Sequence, residues 1–148
     1  SGKAAEMEIG PHEIDRFLIA QHQTHDVALA EIEAGAKTSH WMWWEFPQLH
    51  GFGRSHRAVL YGLEDLNEAV RFLAHPVLGA HLVEMAGTML SHKDTKAEDI
   101  LGPVDAQKLQ SCATLFAAVP EAPSVFQRLL DAFYGGVECP KTRDMLRP

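Results

Sequence analysis

Apolar residues recur at three- and four-residue spacing along most of this chain, and the rhythm breaks in one stretch, residues 36–54. Residues three and four apart share a helix face, so the spacing predicts helices. Ile14, Phe17, Leu18, Gln21, His25, Ala28, Leu29 and Ile32 trace one such face from about residue 12 to 34, and Gly35 supplies the stop. Asp65 and Glu68 have the spacing of a capping box and precede a stripe of Leu66, Ala69, Val70 and Leu73. Pro76 suits the first turn of a helix carrying Leu78, Leu82, Met85, Ala86 and Met89. Thr95 and Glu98 repeat the box spacing ahead of Gly102-Pro103. Leu109, Cys112, Ala113 and Phe116 mark another helix. Ser124 and Gln127 open the last stripe, with Phe126, Leu129, Leu130 and Phe133 inside and Gly135-Gly136 closing it. The expectation is an all-α fold: a compact single-domain bundle of about six to eight helices with an irregular Trp-rich connector, and at most a trivial strand pair near residues 41–49. His25, Phe17, Leu82, Met85, Leu109, Cys112, Phe116, Leu129 and Phe133 should be buried, each lying on an apolar stripe.

A chain of 148 residues is the size of one domain with a real core. Residues 1–10 read as an N-terminal tail whose Ser1-Gly2 resembles a tag remnant, and 11–148 as the domain. No apolar stretch approaches the roughly 20 residues that span a bilayer, so no membrane partner is expected. Two cysteines, Cys112 and Cys139, are too few for a disulfide scaffold and should be free thiols, which makes the cytoplasm the expected compartment. A net charge of −7 argues against nucleic acid, because a phosphate backbone demands a basic face. The charge is unevenly placed. Residues 35–62 hold Lys37, Arg54 and Arg57 against Glu45 alone, a net +2 that leaves −9 for the rest, and they include His40, His50 and His56. A weakly basic island in an acidic chain suits a small anion better than a polyanion. The expected assembly state is a monomer or a weak homodimer.

That island holds all three tryptophans. Trp41, Trp43 and Trp44 sit beside Phe46, Pro47 and Phe52, with Gly51, Gly53, Arg54 and Arg57 following. Rings, glycines and cations together can grip a flat anionic ligand by stacking and cation–π contact. They can equally form a dense core. Pro47 pushes Phe46 out of helical geometry, and irregular segments on a rigid frame are where sites tend to lie.

Other constellations are weaker. His22 and His25 lie one turn apart, half of a metal site, but no cysteine stands at ligand spacing to them, so no metal is expected. Glu45, the carboxylate among the rings, invites acid–base work, yet a solvated charge or a partner of Arg54 is the expected role. Ser55, His56 and Asp65 lack the context of a nucleophile elbow. Gly51-Phe52-Gly53 has no third glycine, so no dinucleotide fingerprint is present and no cofactor is expected. Ser55 can cap a short helix ending near Tyr61-Gly62 and leave amides for an anion beside Arg54 and Arg57. His75-Pro76 offers a second helix start, where an imidazole would be pushed toward neutrality, or a tight helix–helix junction.

The string Ser39-His40-Trp41-Met42-Trp43, Phe46-Pro47-Gln48-Leu49, Gly51, Gly53 and Ser55 resembles the domain-of-unknown-function family 1810. Asp15-Arg16-Phe17, Tyr61-Gly62, His75-Pro76-Val77-Leu78-Gly79, Lys108-Leu109, Thr114-Leu115-Phe116 and Tyr134-Gly135-Gly136 fit as well, so the resemblance extends to Leu146. It implies a mostly helical single domain and no particular activity. Some members carry the name calpastatin, which fits a disordered inhibitor repeat and not a folded domain. The family pattern has an apolar residue where Glu45 stands, lacks the His22/His25 pair, and matches Gly53 and Ser55 better than Arg54 or Arg57.

The functional expectation is therefore a domain that binds, and as an enzyme would hydrolyse or transfer, a small anionic metabolite such as a nucleotide derivative. His40 would be the catalytic or hydrogen-bonding group, Trp41 and Trp43 the stacking wall, and Gln48 the polar reader. Gly51, Gly53 and Ser55 would donate to an anion countered by Lys108 or Arg54, with Tyr61, His75 and Tyr134 in support. His40, Gln48, Ser55 and one of Trp41 or Trp43 should then share one pocket. The alternative is a non-catalytic adaptor whose Trp segment is structural core.

Overall fold

The computed structural model describes residues 13–148, so the tail proposed for residues 1–10 lies outside the described residues. The helices are α1 (Asp15–Glu33), α2 (Met42–Glu45), α3 (His56–Tyr61), α4 (Leu66–Ala74), α5 (Leu78–Leu90), α6 (Ala97–Leu101), α7 (Pro103–Ala117), α8 (Val125–Tyr134) and α9 (Pro140–Leu146). That is nine among the described residues, above the expected range, partly because the stretch read as irregular coils into the short α2. The expected strand pair reduces to one isolated parallel bridge between Leu49 and Leu63. No helix among the described residues is long and apolar enough to cross a membrane.

α5 runs through the centre and packs on α1, α2, α4 and α8, while α7 packs on α4, α6, α8 and α9. Their apolar stripes meet around Phe17, Phe72, Met85, Leu109, Phe116 and Phe126, all at 0 % exposure. Eight of the nine side chains expected inside are buried. Phe133 is the exception, packed against the core only in part, because it lies in the last turn of α8, one residue from its end. Cys112 and Cys139 are free thiols, the first buried.

The sequence signals for helix ends meet mixed outcomes. Ser55 caps α3, its hydroxyl accepting from the Ala58 amide at 3.1 Å. Asp65 caps α4 from the Glu68 amide at 2.9 Å, but the Glu68 carboxylate reaches the Glu64 amide, one residue ahead of the cap. The Thr95–Glu98 and Ser124–Gln127 boxes are not made: α6 starts after Lys96, α8 starts after Ser124, and neither start has a side-chain cap. Pro76 precedes α5, and the amides of Val77, just before the helix, and Leu78, its first residue, both donate to His75 Nδ1. This elbow is tight. A Cβ added to Gly79 would stand 2.0 Å from the Leu73 carbonyl oxygen, so only glycine lets α5 fold back on α4.

One buried ion pair ties the N-terminal half together. Arg16 on α1 meets both oxygens of Glu68 on α4 at 3.2 Å and donates to the carbonyls of Glu13, Leu60 and Gly62. The desolvation of a buried charge pair is offset only if its remaining lone pairs and protons are also satisfied, and here they are.

Candidate functional site

The chain enters the Trp segment around a carboxylate. Glu31, near the end of α1, accepts hydrogen bonds from the amides of Thr38 and Ser39, the Ser39 hydroxyl and the Trp41 indole. Burial opposes its charge, yet these donors outweigh burial and hold the carboxyl down at about 2. Residues 38–41 thus bind an anion, and that anion is the chain's own.

The three indoles then part company. Trp41 (1 % exposed) and Trp44 (7 %) point into the core, and Trp44 donates its indole proton to the Thr24 hydroxyl. Only Trp43 reaches the surface, half-buried, with Lys108 Nζ 4.3 Å and the Arg57 guanidinium 5.1 Å from its ring centre. Trp43, Gln48, Tyr61 and Lys108 line one narrow recess with room for about 10 Å³, closed behind by Phe46 and Gly62. Gly62 is required there, since a Cβ would meet His50 at 2.6 Å. Gln48 Oε1 is buried and has no hydrogen-bond partner among the described residues. Gln48 and Lys108 also border a wider groove of about 290 Å³, whose other walls are Phe52, Val104, Gln107, Gln110 and Cys139. Lys141 covers the Phe52 ring at 4.7 Å. Lys108 pairs with Asp105 at 3.4 Å, and Asp105 pairs with Lys37 at 2.8 Å.

Four of the residues singled out from sequence therefore meet: Trp43, Gln48, Tyr61 and Lys108. The others do not line the recess. His40 is exposed outside it, because the turn bound by Glu31 carries it past the core. Trp41 is a core residue. Ser55 spends its hydroxyl on the α3 cap, and α3 is a single six-residue segment, so the expected cradle of Gly53, Arg54 and Ser55 is an exposed helix start. Gly51 takes a positive φ of 98° to make a turn, and its carbonyl accepts from Lys141. His75 closes the α4–α5 elbow. Tyr134 donates to the Ala106 carbonyl, tying α8 to α7, and burial drives its phenol well above the ordinary value.

Glu45 departs most from expectation. It is neither solvated nor paired with Arg54: it is 1 % exposed, with Oε1 2.8 Å from His25 Nδ1 and Oε2 without a partner among the described residues. Burial lifts its carboxyl above the ordinary 4.5, and its hydrogen bond lifts His25 above the ordinary 6.5. The His25 ring stacks on His81 from α5, at 3.6 Å between centres. Among the described residues no three His, Cys, Asp or Glu side chains are placed so that they could hold a metal ion. Sequence reading missed Glu31, His81 and the His25–Glu45 contact. No local signal marks the His25–Glu45 and Gln21–His81 pairs, whose members lie 20 and 60 residues apart.

A crystal structure of the conserved hypothetical protein Rv1873 from Mycobacterium tuberculosis has the same fold, with a TM-score of 0.89 and 41 % identity over 92 % of this chain and 97 % of that one. No curated protein matches the chain. The family model for a protein of unknown function, DUF1810, matches residues 11–146, nearly the whole length, and the chain belongs to that family.

Proposed function

We propose that this protein binds a small anionic metabolite, of the kind a nucleotide derivative represents, across the groove and recess shared by Gln48 and Lys108. The observation that carries the reading is the buried, unpartnered Oε1 of Gln48 beside the Lys108 ammonium and the Trp43 ring. A buried acceptor without a partner is costly, so a ligand that brings one donor to it is favoured. The recess admits only such a small group. The groove, at about 290 Å³, has room for the rest of a small molecule, and Lys108, Arg57 and Lys141 supply cations near it. With His40 outside the recess, binding is the better-supported part of the expectation and acid–base catalysis the weaker one.

A thermal-shift screen of nucleotides and phosphorylated metabolites tests the reading, since a ligand of the native state raises stability by mass action. The expected result is a hit whose shift disappears in Lys108→Met and in Gln48→Leu, while the melting temperature of each unliganded variant stays near that of the parent. A hit unaffected by both substitutions would remove the site from the argument. The second reading, a helical adaptor, is supported by the burial of Trp41 and Trp44 as core. It gains if no compound shifts the parent protein.

A further inference from the structure

Behind the Trp43 face, the same turn is held by a cluster that ligand binding does not use. Gln21 on α1 donates from Nε2 to the Trp44 carbonyl at 2.8 Å, and its Oε1 accepts from His81 Nδ1 at 2.7 Å. The carbonyl dictates which end of the amide faces it, so His81 carries its proton on Nδ1 and bares Nε2. The His81 ring lies flat on His25, tilted by 9°. His25 is fixed through Nδ1 to Glu45, and its Nε2 lies 3.5 Å from Glu84 Oε1. Two adjacent residues of α2, Trp44 and Glu45, are thus each tied to one ring of a stacked pair formed by α1 and α5. A cleft of about 320 Å³, walled by Leu18, His22, Asp26 and Val77, brings solvent to the pair.

The groups facing the stack are Glu45 from α2, Glu84 from α5, and Asp26 and His22 from α1. The hydrogen bond to Glu45 favours the proton on His25, against burial. Burial first, then the charge on His25, disfavours a proton on His81, while Glu84 and Asp26 attract one. Of the two rings, His25 therefore takes a proton ahead of His81. A second proton would set two cations face to face at 3.6 Å, where they repel. Buried Glu45 pins His25, so the half-buried His81 is the ring free to swing into the cleft.

We propose that Gln21, His81, His25 and Glu45 form a proton-operated latch on α2, in which a second proton, taken up by His81, breaks the ring stack and frees the Trp44 carbonyl from Gln21. The consequence is a change at the Trp43-bearing turn on acidification, and it requires no ligand.

Imidazole and amide NMR of the unliganded protein from pH 8 to pH 5 tests this. His81 should titrate below the ordinary 6.5 and His25 above it, and the Trp44 and Glu45 amides should shift with the His81 midpoint. In His81→Asn, which cannot take the second proton, those amide shifts should be lost while the spectrum at pH 8 stays native-like. An ordinary His81 midpoint would overturn the proposal. So would Trp44 and Glu45 amides that ignore His81, or that respond equally in His81→Asn. The titration of the parent protein decides the matter even if that variant does not fold. A failed metabolite screen leaves the latch untouched, because every readout comes from the unliganded protein.

Discussion

Four hydrogen bonds converge on the Glu31 carboxylate from a loop seven to ten residues further on, and they set the path of the chain into α2. Such charge-assisted bonds are worth more than neutral ones. Glu31→Gln should cost about 1–3 kcal/mol in urea unfolding at neutral pH, discounted toward the lower end because the site is partly solvated. The pH dependence has a definite sign. The folded carboxyl sits near 2 against an ordinary 4.5, so its stabilisation is fully present above 4.5 and is lost as pH falls from there toward 2. The parent protein should therefore lose more stability over that interval than Glu31→Gln does. Equal slopes for the two proteins would show that Glu31 carries no such load. Gln48 makes the complementary point: its Oε1, like Glu45 Oε2 and His25 Nε2, is buried without a hydrogen-bond partner among the described residues.

Among the elements, the α4–α5 elbow and the middle of α5 make opposite demands on glycine. At Gly79 a Cβ would meet the Leu73 carbonyl oxygen at 2.0 Å, a clash with backbone that no rotamer relieves. Gly79→Ala should cost about 3 kcal/mol or more, overpacking with a backbone shift. Gly87, inside the same helix, has nothing within 4 Å of the corresponding point, so Gly87→Ala should add about 0.5–1 kcal/mol through helix propensity and the entropy of the unfolded chain. Thermal unfolding of the two variants side by side checks both signs. The helix ends follow similar logic. Ser55 and Asp65 make the caps their spacing announces, whereas α5 is capped from His75, a residue type that ordinary capping rules do not single out.

Across the molecule, Arg16 and Glu68 join α1, the end of α3 and the start of α4 into one unit over a separation of 52 residues. Removing one member leaves a buried charge without its partner. Arg16→Met should cost about 3–5 kcal/mol in chemical denaturation, and Arg16→Met/Glu68→Leu less than the sum of the two single changes. Additive costs would mean that the pair is not energetically coupled. The same long-range logic governs the candidate site, whose walls come from α2, the following loop, α3 and α7.

Periodicity, glycine and proline placement were enough to establish an all-α fold and most of its core, because each helix face is a local property of 3.6-residue spacing. The sequence also located the Trp-rich stretch and four residues that meet there. Which indoles face inward was not legible: Trp41, Trp43 and Trp44 fall within four positions, and only packing against α1 and α5 sends two inside and leaves one at the recess. Nor could local pattern join Glu45 to His25, or His81 to Gln21 across 60 residues. Those pairings depend on how helices cross in space. The hydrophobic stripe says that a helix has an inner face, and the tertiary structure alone decides what that face meets.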